Sequence, residues 1–137
     1  VLFRSAFFDE ITEDEVIVAA DTIVILNGKI FEKPQHREEA IAMLTSLSGQ
    51  THKVVTGVCL LSKSKKVSFR DETKVTFNAL TESEIAFYVD NFKPYDKAGA
   101  YAIQEWIGVV GIKSIKGDFY NVMGLPVSRV VKALQQL

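Results

Sequence analysis

A single carboxylate interrupts the longest apolar stretch of this chain. Residues 16–20 and 22–26 are both rich in β-branched side chains, and Asp21 stands between them. The first run favours a strand that is buried on both faces and stops at Asp21. Burying an unpaired charge there would cost free energy. We therefore expect this strand to bring Asp21 to a position where water, an amide or a ligand can meet it.

Further strands are expected in hairpins. Asn27 and Gly28 suit a type I′ turn because both tolerate positive φ, so the chain should return through residues 30–31. Patterns typical of strands cover residues 54–62, 66–77, 107–115 and 119–122.

Three helices complete the prediction. Residues 37–47 carry apolar side chains at helical spacing, Thr81 and Glu84 form a capping box, and a last helix begins near Pro126. The pattern predicts a single α/β domain over residues 1–137, with a mixed, largely antiparallel sheet flanked by helices.

Composition excludes several classes of function. No apolar run approaches the roughly 20 residues that cross a bilayer. The 16 basic and 17 acidic residues give no reason to expect a nucleic-acid partner. Cys59 is the only cysteine, so an internal disulfide and a Cys/His zinc cage are both excluded. Residues 1–8 do not resemble a signal peptide. We expect a cytoplasmic protein that acts on neither membranes nor nucleic acids.

Two charged residues are candidates for chemistry. Asp21 is either a strand-end residue that accepts hydrogen bonds from nearby amides, or a carboxylate at a cleft mouth that holds a divalent metal or takes a proton from water. Pro34 stiffens the backbone beside Lys33, whose ammonium could neutralise a phosphate or simply be solvated.

Two loops are further candidates. Small residues in segment 96–104 would let a ligand approach the backbone, and Gln104 offers both a donor and an acceptor; the alternative is a tight turn with Tyr101 facing the core. The glycines of segment 117–126 could serve a ligand or folding alone. His36 and His52 lack metal-ligand spacing, and we interpret them as structural or surface residues.

Taken together, five motifs resemble the Maf family of nucleoside triphosphate pyrophosphatases. In chain order they are Ala20-Asp21-Thr22-Ile23-Val24, Glu32-Lys33-Pro34, residues 47–52 (LSGQTH) with Val55-Thr56-Gly57, residues 96–104 (DKAGAYAIQ) and residues 117–126 (GDFYNVMGLP). The resemblance implies a Maf/ITPase-like fold with a cleft, and hydrolysis between the α and β phosphates with a divalent cation, Mg²⁺ or Mn²⁺.

The resemblance also implies roles for individual residues. Asp21 would be the proton acceptor and a metal ligand, and Lys33 a phosphate contact. Thr22 and Gln104 match positions tied to substrate choice, and the Asp-Thr pair resembles the branch that prefers dTTP and UTP. Lys97 is a further substrate-binding candidate, although an ion pair within its loop is an equal alternative.

The resemblance implies one alternative function and a homodimer, and the chain departs from the family pattern in one respect. A nucleotide-binding or regulatory module without turnover, linked to septum formation, is the alternative to a pyrophosphatase, and the resemblance also implies a homodimer. Family members begin with a strand and a Ser-x-Ser-Pro-Arg-Arg loop, which Arg4 and Ser5 do not match. The chain is therefore expected to be truncated at its amino terminus relative to the family.

Overall fold

The computed structural model describes residues 11–137. Its strands are β1 (Ile17–Leu26), β2 (Lys29–Phe31), β3 (Thr51–Leu61), β4 (Lys66–Phe77) and β5 (Ile112–Lys116). Its α-helices are α1 (Arg37–Leu47), α2 (Glu82–Phe92), α3 (Trp106–Gly111), α4 (Phe119–Met123) and α5 (Val127–Leu134), with a 3₁₀ turn at Ala98–Ala100. The expected α/β architecture is confirmed. Arg4 and Ser5, which do not match the family's Ser-x-Ser-Pro-Arg-Arg loop, lie outside the described residues.

The strands form one sheet in the order β2-β1-β3-β4-β5, and every pairing in it is antiparallel. The central strand β3 pairs with nearly the whole of β1, so that Asp21 lies opposite Gly57 and Thr22 opposite Thr56. On its other side β1 meets β2 over only its last three residues, beginning at Val24. Within the described residues, the earlier part of this β1 edge has no partner strand.

The helices cover one face of the sheet. A main buried cluster joins side chains of β1, β3 and β4 to α1, α2, α3 and the segment after the 3₁₀ turn. A smaller cluster joins Val58 and Leu60 of β3 to Val130 and Ala133 of α5. Because successive strand residues point to opposite faces, Thr22 shares the helix-covered face with Val24, whereas Asp21 points to the other face.

Several local predictions are confirmed. Asn27 and Gly28 have φ of 50° and 81°, as a type I′ turn requires. Helix α1 covers the predicted residues 37–47. The capping box at the start of α2 is formed, because Glu84 N donates to Thr81 Oγ1 over 3.1 Å and Thr81 N donates to Glu84 Oε1 over 2.8 Å.

The interpretation of residues 16–20 was wrong in two respects. Strand β1 does not stop at Asp21 but runs through it to Leu26. It is not buried on both faces either, since Val18 is 43% exposed. Pairing with β3 continues without a break on both sides of Asp21, so the strand can carry a charge in its middle as long as that charge faces water.

Two predicted strands are largely helical. Residues 107–111 belong to α3 and only 112–116 form a strand, while residues 119–122 lie in α4. Asp118 caps α4 by accepting from Tyr120 N over 2.8 Å, which favours a helix over the strand that the aromatic residues suggest. Burial of Ile107 in the main cluster stabilises α3 despite its β-branched composition.

The described part of the chain contains no helix long and apolar enough to span a membrane.

Candidate functional site

All five residues singled out as site candidates line one cleft of about 290 Å³, called here the Asp21 cleft. They are Asp21, Thr22, Lys33, Lys97 and Gln104. A neighbouring hollow of about 330 Å³ shares Asp21, Thr22 and Lys33 with it. Since Asp21 and Thr22 point to opposite faces of β1, a cleft that takes in both must open at the unpartnered edge of the strand.

Asp21 is exposed in the middle of β1 and accepts no hydrogen bond from another described residue. The alternative of a strand-end residue that satisfies nearby amides is therefore wrong. Gly57 lies opposite Asp21 on β3, and a Cβ placed there would meet nothing within 4 Å. Residues opposite each other in an antiparallel pair share a face, so the carboxylate has open space beside it.

Thr22 is tied into a short hydroxyl chain on the other face. Its Oγ1 lies 2.9 Å from Thr56 Oγ1 and donates to the Gly124 carbonyl oxygen over 3.3 Å. Thr56 is fully buried, whereas Thr22 is half-buried and lines the cleft with Gly124. These contacts connect β1, β3 and the end of α4 at the cleft wall.

The charged groups of the cleft balance each other. Lys97 Nζ lies 2.8 Å from Asp96 Oδ2, as the ion-pair alternative for Lys97 anticipated. The hydrogen bond from Lys97 lowers the pKa of Asp96, and the charge of nearby Lys33 lowers it further. Lys33 itself is exposed and forms no ion pair with a described residue. Two lysines and two aspartates therefore line a cleft with almost no net charge of its own.

Backbone geometry fixes the loop that carries Lys97. Gly99 has φ of 72°, and a Cβ there would lie 2.9 Å from Val24 Cγ2, so only glycine fits against β1. Ala100 also has a positive φ, of 63°. Gly99 N donates to the Glu32 carbonyl oxygen over 3.2 Å, which joins this loop to the segment that bears Lys33.

A buried pair of aromatic residues anchors the same loop to β3. His52 Nε2 lies 2.6 Å from the Tyr101 hydroxyl, and Phe77 packs against both rings. Burial lowers the pKa of His52 to about 4 and raises the pKa of Tyr101. His52 is therefore neutral at pH 7 and structural, as expected. Tyr101 is buried in the core, as its alternative predicted, and it also lines the cleft.

Asn121 holds α4 against the sheet. Its buried amide nitrogen lies 3.1 Å from the Val54 carbonyl oxygen and 3.1 Å from Thr73 Oγ1, while Thr73 Oγ1 donates to the Asp118 carbonyl oxygen over 2.9 Å. Val122, which follows Asn121, lines the cleft. The glycine-rich segment 117–126 thus serves both folding and the cleft wall.

Several cleft residues were missed by sequence reasoning as individual candidates. Asp96, Val54 and Met123 all line the cleft. Asp96 could have been found from its place directly before Lys97. Thr56 contacts Thr22 only through the β1–β3 register, which no local pattern reveals.

Other conspicuous residues lie elsewhere. His36 caps α1 by accepting from Glu39 N through Nδ1 over 3.2 Å. Cys59 is buried in β3, as a small apolar residue would be. Neither residue lines the Asp21 cleft, and the Asp118 side chain serves as a helix cap.

Comparison with known proteins identifies the family. The model of the family described as "Maf-like protein" matches residues 4–137. This chain belongs to the Maf family. The Maf resemblance of the five motifs is thereby confirmed, and these motifs supply most of the described cleft residues.

Three Maf relatives illustrate the similarity. A protein of Christiangramia forsetii is 47% identical over 137 residues, which are all of this chain and 70% of the relative. Proteins of Bacteroides thetaiotaomicron and Cytophaga hutchinsonii are 52% and 53% identical over 90% of this chain, and the matches cover 64% and 57% of their lengths. Each of the three is named dTTP/UTP pyrophosphatase. The chain thus spans between 57% and 70% of these relatives.

The side chains of the cleft suit a metal ion that is bound jointly by the protein and by the substrate's phosphates, rather than one held by protein ligands alone. Among residues 11–137, no group of three or more His, Cys, Asp or Glu side chains is placed to hold a metal. Asp21 and Asp96 nevertheless line the same cleft. Magnesium in phosphate-handling sites is typically held by one or two carboxylates together with the substrate's own phosphates. The residues present fit an ion of that kind.

Proposed function

We propose that this Maf family member is a nucleoside triphosphate pyrophosphatase that hydrolyses dTTP and UTP to the monophosphate and pyrophosphate. The observation that carries the proposal is the convergence of Asp21, Thr22, Lys33, Lys97 and Gln104 on one cleft. The names of the three relatives support the choice of substrate.

Asp21 is the proposed proton acceptor. A water molecule attacks the α phosphorus, a phosphorus–oxygen bond forms, and the bond from the α phosphorus to the bridging oxygen breaks. Pyrophosphate leaves with that oxygen, and the proton of the attacking water goes to the Asp21 carboxylate. The exposure of Asp21 and the open space above Gly57 support this role, since water can reach the carboxylate without displacing a side chain.

The lysines are the proposed phosphate contacts. Lys33 has no carboxylate partner among the described residues, so its ammonium is free to meet a phosphate oxygen. Lys97 would first have to exchange its contact with Asp96. Both ammonium groups would stabilise the negative charge that passes to the leaving pyrophosphate.

A divalent ion, Mg²⁺ or Mn²⁺, is part of the proposal. Lys33 and Lys97 are offset by Asp21 and Asp96, so the described cleft leaves the charge of a triphosphate uncompensated. Asp21 would hold the ion, and Asp96, which lines the same cleft, is the second carboxylate available to it. When bound, the ion supplies positive charge against the phosphate oxygens and makes water more acidic.

Thr22 and Gln104 are the proposed contacts to the base. Gln104 is exposed and makes no side-chain hydrogen bond within the described part of the chain, so its amide can turn to match a base edge. Thr22 is fixed by its neighbours. One adaptable and one fixed polar group suit recognition of a pyrimidine edge.

The test is release of pyrophosphate by the full chain from dTTP, UTP, dCTP and dATP, with Mg²⁺ or Mn²⁺ and after chelation. We expect turnover of dTTP and UTP, slower turnover of the other two, and loss of turnover on chelation that either metal restores. Saturable binding of dTTP without any pyrophosphate would favour the alternative of a nucleotide-binding module. Absence of both binding and turnover would contradict the proposal.

A further inference from the structure

The hydrogen bonds that join Thr56, Thr22 and the Gly124 carbonyl can run in only one direction from donor to acceptor. A carbonyl oxygen cannot donate, so the contact between Thr22 and Gly124 uses the single hydroxyl hydrogen of Thr22. That hydrogen is then unavailable to Thr56. The 2.9 Å contact between the two threonines must therefore use the hydrogen of Thr56.

The same direction follows from Thr56 alone. Its side chain is fully buried, and Thr22 Oγ1 is its only hydrogen-bond partner in the described residues. A buried donor without an acceptor is costly, so the Thr56 hydrogen points at Thr22. The chain runs from Thr56 through Thr22 to the Gly124 carbonyl.

This direction determines what Thr22 can offer a ligand. The hydroxyl oxygen has two acceptor sites, one of which receives the Thr56 hydrogen, and its own hydrogen is engaged by Gly124. The Thr22 hydroxyl can therefore offer the cleft one acceptor site and no donor. A ligand group that meets Thr22 must therefore bring a hydrogen of its own.

We propose that Thr56, which does not line the cleft, is a positioning residue that sets the hydrogen-bond polarity of Thr22 and thereby contributes to base selection. The inference rests on the proposed function, in which Thr22 meets the base. Thymine and uracil carry a hydrogen on N3, whereas cytosine has a bare lone pair there. If Thr22 can only accept, its oxygen forms a hydrogen bond with the N3 hydrogen of thymine or uracil. Cytosine is disfavoured at that position, because its N3 lone pair would face the lone pair of Thr22.

Removing the Thr56 hydroxyl should weaken this selection rather than simply reduce activity. In Thr56→Val, Thr22 loses the 2.9 Å contact that fixes its hydroxyl and keeps only the long 3.3 Å bond to Gly124, so its side chain can rotate away from Gly124 and turn its hydrogen towards the cleft. Thr22 could then donate to cytosine. Thr56→Ser keeps the hydroxyl and is the matched control.

The experiment measures kcat/KM for dTTP and dCTP with the wild type, Thr56→Val and Thr56→Ser. We expect the ratio of dTTP to dCTP to fall about tenfold in Thr56→Val, the effect of one hydrogen bond, and to be retained in Thr56→Ser. An unchanged ratio in a folded Thr56→Val protein would overturn the proposal. A merely structural role would lower both rates and leave the ratio alone.

A second arm does not depend on any variant. The wild type is assayed with dTTP methylated at N3, which removes the donor, and we expect at least a tenfold loss of kcat/KM. Undiminished turnover of that analogue would overturn the polarity argument even if Thr56→Val does not fold. If the wild type hydrolyses no triphosphate at all, the proposed function itself fails, and the two failures are thus distinguishable.

Discussion

Asp21 lies directly opposite Gly57 in the antiparallel pair of β1 and β3, with open space where a Gly57 side chain would stand. The glycine has no positive φ and no steric conflict, so neither its backbone nor its packing demands glycine. What the missing side chain does provide is free access to the neighbouring carboxylate. Gly57 does not line the Asp21 cleft, but its missing side chain leaves open space beside the Asp21 carboxylate on the other face of β1.

This relationship predicts the effect of Gly57→Val. Valine suits a strand interior, so the thermal midpoint should stay the same or rise. Its methyl groups would occupy the space beside Asp21, and pyrophosphate release from dTTP should fall at least about tenfold, because small displacements at a reacting centre are costly. Calorimetry and a rate measurement on the same sample check both parts. Full activity in the variant would show that the open space has no role.

Gly99→Ala should be more destabilising than Gly28→Ala. Both glycines have positive φ, of 72° and 81°, so alanine strains the backbone at either position. Only at Gly99 would the new Cβ also press on Val24, at 2.9 Å. We expect about 1 kcal/mol of lost stability at Gly28 and about 2 kcal/mol or more at Gly99. Urea denaturation of the two variants gives the comparison, and equal losses would contradict the close packing of this loop on β1.

His52 makes stability depend on pH. Its pKa is about 4 in the folded chain and 6.5 when unfolded, so between these values the unfolded chain binds a proton that the folded chain does not. Stability should therefore fall as the pH decreases from 6.5 to 4, by about 3 kcal/mol from this residue, and level off below that. His52→Gln can still hydrogen-bond Tyr101 but does not titrate. Urea midpoints over this range should fall less steeply in the variant; parallel curves would contradict the assignment.

Lys33→Gln tests the proposed phosphate contact. Lys33 is proposed both to bind a phosphate and to stabilise the charge on the leaving pyrophosphate, so loss of its charge-assisted hydrogen bond should lower kcat/KM for dTTP about tenfold or more. Lys29→Gln is the matched control, because Lys29 is also exposed nearby but lies over the Phe31 ring outside the cleft. Equal effects of the two substitutions would mean that only the overall surface charge matters.

Much of the fold and of the cleft was predictable from local patterns. The hairpin turn at Asn27, helix α1 and the capping box at Thr81 each follow from interactions within a few residues. Helices α3 and α4 were not predictable in this way, because they are short and their residues favour strands. Burial of Ile107 and the cap at Asp118 make these two segments helical. Propensity is weak over so few residues, and tertiary contacts override it.

The candidate residues were named from motifs, but their arrangement required coordinates. That Asp21 and Thr22 reach one cleft from opposite faces depends on where β2 stops pairing with β1. The contact of Thr56 with Thr22 depends on the β1–β3 register. Register is set by pairing along the whole strand, so neither relationship is visible in the local sequence.

The most direct test of the account is pyrophosphate release from dTTP by Asp21→Asn. Asparagine keeps the size of the side chain but cannot take the proton, and we expect the rate to fall at least about 100-fold while the protein remains folded. Asp90→Asn is the control, because Asp90 pairs with Arg37 away from the cleft and its loss should leave the rate unchanged. A folded Asp21→Asn protein that releases pyrophosphate at the wild-type rate would contradict the central claim that Asp21 is the proton acceptor.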